Sequence, residues 1–521
     1  MRTSTDHASI VAALAAALVV GGLLAQNVVP ARAAEGGPVP PGSRPYDPTW
    51  DSLTRHPVPQ WYRDAKFGIY CHWGIYSVPA FGNEWYSRNM YQKETPENQH
   101  HLKTYGPLST FGYKDFLPLF KAEKFDPEAW ADLFEKAGAR FAGPVTEHAD
   151  GFAMWDSKLT RWNAAQMGPK RDVVGELARA IRRHGMKFIA TFHHQWLWAW
   201  YPTEEKSVDA SNPAYAGLYG PPVPATAFNG EVYPRPSRPF CDRWEAKVEE
   251  VIDKYHPDLI YFDARGFTID EQHRRNFLAY YYNHAAARDQ QVIMTYKDKD
   301  FAARSGVVDL ERGRMARGMS EPWQTDDSMD WKSWCDIRDP NYKSAKRLIA
   351  ELVDIVSKNG CLLLNVPPKA NGEIPEPVKE RLLEMGRWLR LNGEAIYGTR
   401  PWAVYGEGPT QVVPGHFGEE KTKDFTAQDI RFTTKGRNTI YAICLDWPGA
   451  KLVIKSLGPT NLSRVGGPNW DAWWLGSQST IRLLGCPTKL RWSQTMNQGV
   501  TVYFPKEKPC QHAYVLKISP R

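Results

Sequence analysis

Short apolar runs alternate with longer segments of helical period over most of this chain, and that alternation limits the fold more than any single motif. The runs are "KFGIYCHW", "RFAGPVTEH", "KFIATFHH", "DLIYFDA", "QVIMTYK", "VVDLE" and "CLLLNV". Between several of them lie the amphipathic stretches "DPEAWADLFEKAG", "RDVVGELARAIRRHG", "RWEAKVEEVIDKYH" and "SAKRLIAELVDIVSKNG". Three of these stretches stop at Gly138, Gly185 and Gly360, each followed within two residues by the next apolar run. A glycine in the left-handed region ends a helix at little steric cost and hands the chain to a strand. Strand and helix in succession give βα units with parallel strands, which is the α/β class. Seven or eight such units within about 350 residues fit a closed (β/α)8-like TIM barrel with insertions better than an open sheet.

Beyond residue 400 the texture changes. "YGTRPWAVYGEGPTQ" is a Gly/Pro-rich boundary, and after it come short alternating runs such as "DIRFTTK", "NTIYAICLDW", "KLVIKSL", "VTVYFP" and "AYVLKIS". This pattern predicts an antiparallel β-sandwich of roughly 115 residues. A chain of 521 residues is too long for one ordinary core, so a second domain is expected on size alone. The boundaries read as 34–403 for the barrel and 404–521 for the sandwich.

The first 33 residues read differently. Arg2 precedes the apolar "ASIVAALAAALVVGGLLA", and Pro30 precedes Ala31-Arg32-Ala33, a small-x-small cleavage site. This is the layout of a secretory signal peptide, so a secreted or periplasmic protein is expected, with no membrane attachment after cleavage near Ala33. An uncleaved anchor is the competing reading, since the stretch is nearly long enough to span a bilayer. The net charge of +7 contains no run of five or six like charges, which argues against a nucleic-acid partner. Seven cysteines, an odd number, show no CxxC and no zinc-like spacing, so burial rather than ligation is expected of most of them.

Barrel enzymes build their sites where strands finish. Here the runs finish on His72, His148, His193-His194, Asp263, Lys297, Glu311 and Asn365. One polar residue after a strand is a turn; seven such ends on one barrel face form a site. Asp263 and Glu311 end different strands and so can face each other across the mouth. Two carboxyl groups flanking a bond, with histidines for hydroxyls, is the arrangement of glycoside hydrolysis. The 21 Trp and 24 Tyr of the chain suit stacking on sugar faces, although most such rings fill core. The short Asp263, held at its strand terminus, suits the nucleophile. Glu311, one methylene longer, suits the acid that reaches a leaving oxygen.

Several blocks then resemble a known family. "FGIYCHWGIYSVPAFGNEWYSRNMY" (67–91), "EHADGFAMWDS" (147–157), "GPKRDVVGEL" (168–177), "YFDARG" (261–266), "VSKNGCLLLNVPP" (356–368) and "NGEAIYGTRPW" (392–402) resemble the α-L-fucosidases of glycoside hydrolase family 29. The resemblance implies a catalytic barrel followed by a β-sandwich and a retaining mechanism through a covalent glycosyl-enzyme. It implies a fucosylated glycan or glycoside as substrate and no cofactor or metal. It places the nucleophile on Asp263 and points to Glu311 as acid/base, with Glu321 as the rival ten residues on. It implies sugar contacts from His72, Glu84, Trp85, His148, His193, Tyr261 and Lys297. The family's usual His-His-Asp-Gly-Phe reads "HADGF" here, so Ala149 replaces one hydroxyl donor, a gap that His194 or a water could fill.

Two other functions remain open to the sequence. His72, His148, Asp150, His193 and Asp263 could ring a metal in a metal-dependent hydrolase, although no HExxH is present. A carbohydrate-binding protein with weak or no catalysis would keep the aromatic residues without needing both carboxylates. The Pro- and aromatic-rich insertion 200–240 is expected to form part of the aglycone wall.

Overall fold

Eight parallel strands close into a barrel: β1 (Phe67–Cys71), β2 (Phe141–Glu147), β3 (Lys187–Phe192), β4 (Leu259–Phe262), β5 (Ile293–Lys297), β6 (Val307–Asp309), β7 (Trp323–Ser328) and β8 (Gly360–Val366). They pair in chain order, and β1 pairs with β8 to complete the ring. The computed structural model describes residues 45–232, 234–436, 439–458, 475–495 and 498–519. The expected signal peptide lies outside the described residues.

Among the described residues, six helices of at least three turns pack around the barrel: α1 (Pro127–Ala137), α2 (Val173–Arg183), α3 (Arg238–Tyr255), α4 (Glu271–Ala286), α5 (Ala345–Ser357) and α6 (Glu376–Asn392). α1 begins with Asp126 capping two backbone amides and ends at Gly138, whose φ of 95° needs no Cβ to be accommodated. Gly185 is left-handed as expected, but Gly360 is not: Asn359 takes the left-handed turn after α5, with φ 71°. Gly360 instead opens β8, where a Cβ would meet the ring of Trp323 at 2.7 Å. No helix joins β5 to β6 or β6 to β7 among the described residues.

Strand β7 is the element that hydropathy misses. Its sequence "WQTDDS" has one apolar residue, yet all six residues are buried. Gln324 bonds Asp309 at 2.8 Å, and Asp326 accepts from Tyr70 and Tyr261. The polar strand is tolerated inside because its side chains find partners there.

The chain continues with β9 (Arg400–Glu407), β10 (Ile430–Thr434), β11 (Ile440–Cys444), β12 (Lys451–Ile454), β13 (Thr480–Leu483), β14 (Trp492–Thr495), β15 (Gly499–Tyr503) and β16 (Tyr514–Ser519). These form a five-stranded antiparallel sheet, order β13-β16-β11-β10-β9, and a three-stranded one, order β12-β15-β14. Ile430, Phe432 and Ile518 of the first sheet share one apolar core with Leu452, Val500 and Val502 of the second, which makes a sandwich. Trp388 of α6 donates to the carbonyl of Ala513 at 2.8 Å, tying barrel to sandwich. All seven cysteines are free thiols, five of them buried. No helix among the described residues is long and apolar enough to cross a membrane.

Candidate active site

Alternation along the strands decides which side chains enter the barrel. Leu259 and Tyr261 face inward on β4, so Asp263, two residues on, meets the same cavity at the strand's end. By the same period Lys297 comes after Ile293 and Thr295 on β5, and Glu311 after Val307 and Asp309. On β2 the phase changes. The register shifts between Val145 and Glu147, so Val145 stays in the interior cluster while Glu147 turns outward to Lys247 of α3 at 2.5 Å. An irregularity of this kind re-aims the side chains beyond it, and it brings His148 to the inner face.

Lys297 is the centre of the site. Its ammonium donates to Asp263 Oδ1 at 2.6 Å and to Glu311 Oε2 at 2.8 Å, and lies 3.5 Å from Asp326 Oδ2. Burial disfavours that charge, but Asp263, Asp326, Glu311 and Asp309 together outweigh it and hold the ammonium protonated well above its ordinary range. Burial also pushes Asp263 up, yet the Lys297 charge and hydrogen bond and the Ala264 amide bring its carboxyl below the usual carboxylate range. For Glu311 the balance falls the other way. Burial, aided by the charges of Asp263 and Asp326, raises it despite Lys297. Two carboxyl groups on one cation are therefore shifted in opposite directions, Asp263 down and Glu311 up.

One layer below, Tyr261 bonds Asp326 at 2.9 Å and Tyr70 bonds the same oxygen at 3.0 Å. Asp309 beside them is driven well above its ordinary range by burial and by Asp326. Tyr261 is fully buried with its hydroxyl occupied. It supports Lys297 from beneath, which differs from the sugar contact expected of it. Period-two spacing puts it one layer too deep.

Three imidazoles form the opposite wall. Ring centroids of His72 and His193 are 5.0 Å apart, and those of His148 and His193 4.7 Å. His72 Nδ1 bonds Asn365 Oδ1 at 2.9 Å, while the buried Nδ1 atoms of His148 and His193 have no polar partner among the described residues. Burial holds His72 down to about 4 and the other two well below 6.5, so all three are neutral. A neutral ring with a free nitrogen suits a hydroxyl. The three rings also offer nitrogens within 4.8 Å of one another, a set that could hold a metal ion. Glu84 is buried, is pushed by burial to about 7, and accepts from the Trp334 amide at 3.2 Å; the Trp334 ring lies 5.4 Å from His72. Trp85 is half-buried against Trp200 and Trp196 at 4.8 and 5.3 Å.

Two smaller expectations are settled by placement. His194 points away from the cavity, its Nε2 3.3 Å from the Trp244 carbonyl, so it does not occupy the place Ala149 leaves. Glu321 is exposed and precedes β7, at the strand-start end of the barrel. Glu311 stands at the strand-finish end with Lys297, so the rival for the acid is remote from the site. Sequence reading missed Asp309, Asp326 and Trp334. Asp326 lies in β7, which no apolar run announces, and Asp309 lies inside the short run of β6, whose polar end at Glu311 alone drew attention.

Known proteins resemble this chain over most of its length. The Alpha-L-fucosidase family profile matches residues 39–394, and the Alpha-L-fucosidase C-terminal domain profile matches residues 422–519. The tissue alpha-L-fucosidase of Rattus norvegicus is 31% identical over 487 residues, 91% of this chain and 92% of that one. The tissue alpha-L-fucosidase of Homo sapiens is 30% identical over 489 residues, covering 91% and 92%. The crystal structure of Thermotoga maritima alpha-fucosidase in complex with fucose superposes with a TM-score of 0.70 at 31% identity, covering 91% of this chain and 99% of that one.

Proposed function

The chain belongs to the alpha-L-fucosidase family, and on that premise we propose that it hydrolyses terminal α-L-fucosyl linkages by double displacement with retention. The observation that carries this reading is the single ammonium gripping two carboxylates. Contacts of 2.6 and 2.8 Å to one nitrogen cap the separation of those oxygens at the sum of the two. Even that upper limit is short of the roughly 6.5–9.5 Å that inverting glycosidases need for a water, which leaves the closer spacing of about 5–5.5 Å or less that goes with retention.

Asp263, kept ionised by Lys297, attacks the anomeric carbon, and Glu311 gives its proton to the departing oxygen. The aglycone leaves and a fucosyl ester forms on Asp263. Esterification removes the Asp263 charge, one of the causes that hold Glu311 protonated. Glu311 then accepts a proton from water as that water attacks the ester carbon, releasing fucose and restoring both groups. In this reading His72, His148 and His193 bind sugar hydroxyls, Glu84 joins them, and Trp85 covers an apolar face of the ring.

The test is release of 4-nitrophenol from 4-nitrophenyl α-L-fucoside, with and without chelator, by wild type and Asp263→Ala. Turnover that survives chelator and disappears in the variant supports this function. Loss with chelator favours a metal held by the three histidines, and no turnover at all favours a binding protein. We propose in addition that the chain is exported; N-terminal sequencing of secreted material should begin at Ala34.

A further inference from the structure

Residues 395–421 fall between the two matched family profiles, yet part of this stretch reaches the catalytic face. Residues 412–421 run as a strap alongside the turn after β6. Gly415 and Arg314 exchange backbone hydrogen bonds of 3.2 and 2.8 Å. The amide of Phe417 donates to the carbonyl of Glu311 at 2.9 Å, and that of Glu419 to the carbonyl of Arg312 at 3.3 Å. Arg312 then bonds the Glu419 carboxylate at 2.9 Å. The strap is thus clamped to the Glu311 turn from both backbones and from buried charge.

His416 sits at the middle of the clamp. Its Nδ1 accepts the Glu311 amide at 3.1 Å, which requires a lone pair there and leaves the proton on Nε2. Nε2 donates to Asp298 Oδ1 at 2.9 Å. Asp298 directly succeeds Lys297, so one imidazole ties the backbone that carries the acid to the residue beside the shared ammonium. Asp298, Arg312 and Phe417 all hold left-handed backbone, with φ of 53°, 43° and 53°. Side-chain-bearing residues adopt that region at a cost, and such residues gather where geometry has to be kept.

We propose that this strap is a positioning element for the acid/base and that His416 is the positioning residue, fixing where Glu311 stands relative to Lys297 and Asp263. The inference rests on Glu311 being the acid/base of the proposed reaction. Its chemical consequence is selective. A misplaced acid impairs departure of leaving groups that need a proton and spares those that leave as stable anions.

The experiment compares kcat/KM, which reports the first chemical step, for 4-nitrophenyl α-L-fucoside and methyl α-L-fucoside in wild type, His416→Ala, His416→Asn, Asp298→Asn and Glu311→Ala. In His416→Ala the methyl substrate should lose about tenfold or more, with a several-fold smaller loss on the nitrophenyl substrate. His416→Asn offers an oxygen where Nδ1 accepted and should recover most of that loss. Asp298→Asn should show a weaker version of the same selectivity. Melting temperatures of the five proteins separate global damage from displacement. Equal losses on both substrates in His416→Ala, or none on either, would overturn the strap's role while Glu311→Ala stays selective. A Glu311→Ala variant without leaving-group selectivity would remove the acid assignment and the proposal with it.

Discussion

Two clusters of charge, both at the strand-finish end of the barrel, differ in their arithmetic. In one, Arg312, Arg314, Lys343 and Arg347 meet Asp327, Glu351, Glu419 and Asp424, four cations against four carboxylates. In the other, among the described ion pairs, Lys297 is the one cation that meets Asp263, Glu311 and Asp326, with Asp309 behind them. A matched cluster gives each carboxyl group a cation of its own. Burial pushes Asp327 up, but Lys343 and its neighbours hold it far below the carboxylate range, while burial and the Asp327 charge raise Glu419 beside it to about 8 despite Lys343. A mismatched cluster cannot ionise fully in a buried place, so protons are retained and the carboxyl groups titrate apart. The first arrangement fixes a turn and a strap. The second is poised to move a proton.

Variants can break that contrast in order of expected effect. Asp263→Ala should lose at least about 10⁴-fold in kcat/KM on any fucoside, since nothing else in the site attacks carbon. Glu311→Ala should lose about 10²–10⁴-fold on substrates with poor leaving groups. Its fucosyl-enzyme, lacking a base to activate water, should turn over faster when azide is added. Lys297→Met should cost on the order of 10²-fold and move the pH profile in a definite direction. Lys297 lowers both Asp263 and Glu311, so its removal raises both. The acid limb, set by ionisation of Asp263, and the basic limb, set by loss of the Glu311 proton, should both shift to higher pH. In the matched cluster, Glu351→Gln removes the partner of Arg347 at 2.6 Å and of Arg314 at 2.9 Å. It should cost about 3–5 kcal/mol by denaturant unfolding while the two pH limbs stay where they are. Movement of those limbs would show that the clusters are one electrostatic unit.

Much of this was legible in the residues. Seven of eight barrel strands announce themselves as apolar runs, and the polar residue ending each run marks the catalytic face. The eighth, β7, does not, because Gln324 and Asp326 are satisfied by side chains from β1, β4 and β6 that only closure of the barrel brings near. The same long-range dependence hid Asp326 and Asp309 as partners of Lys297. It hid His416, which lies 105 residues beyond the amide it accepts. His148 was legible as a strand end, but not the irregularity that turns it inward. Tyr261 shows the limit of spacing alone: the correct face was readable, the depth was not.

The most direct measurement is to trap the enzyme with 2-deoxy-2-fluoro-α-L-fucosyl fluoride and map the labelled peptide by mass spectrometry. The account predicts one fucosyl adduct, on Asp263, absent from Asp263→Asn. An adduct on Glu311 or elsewhere, or turnover without any adduct that releases β-L-fucose first, would contradict it.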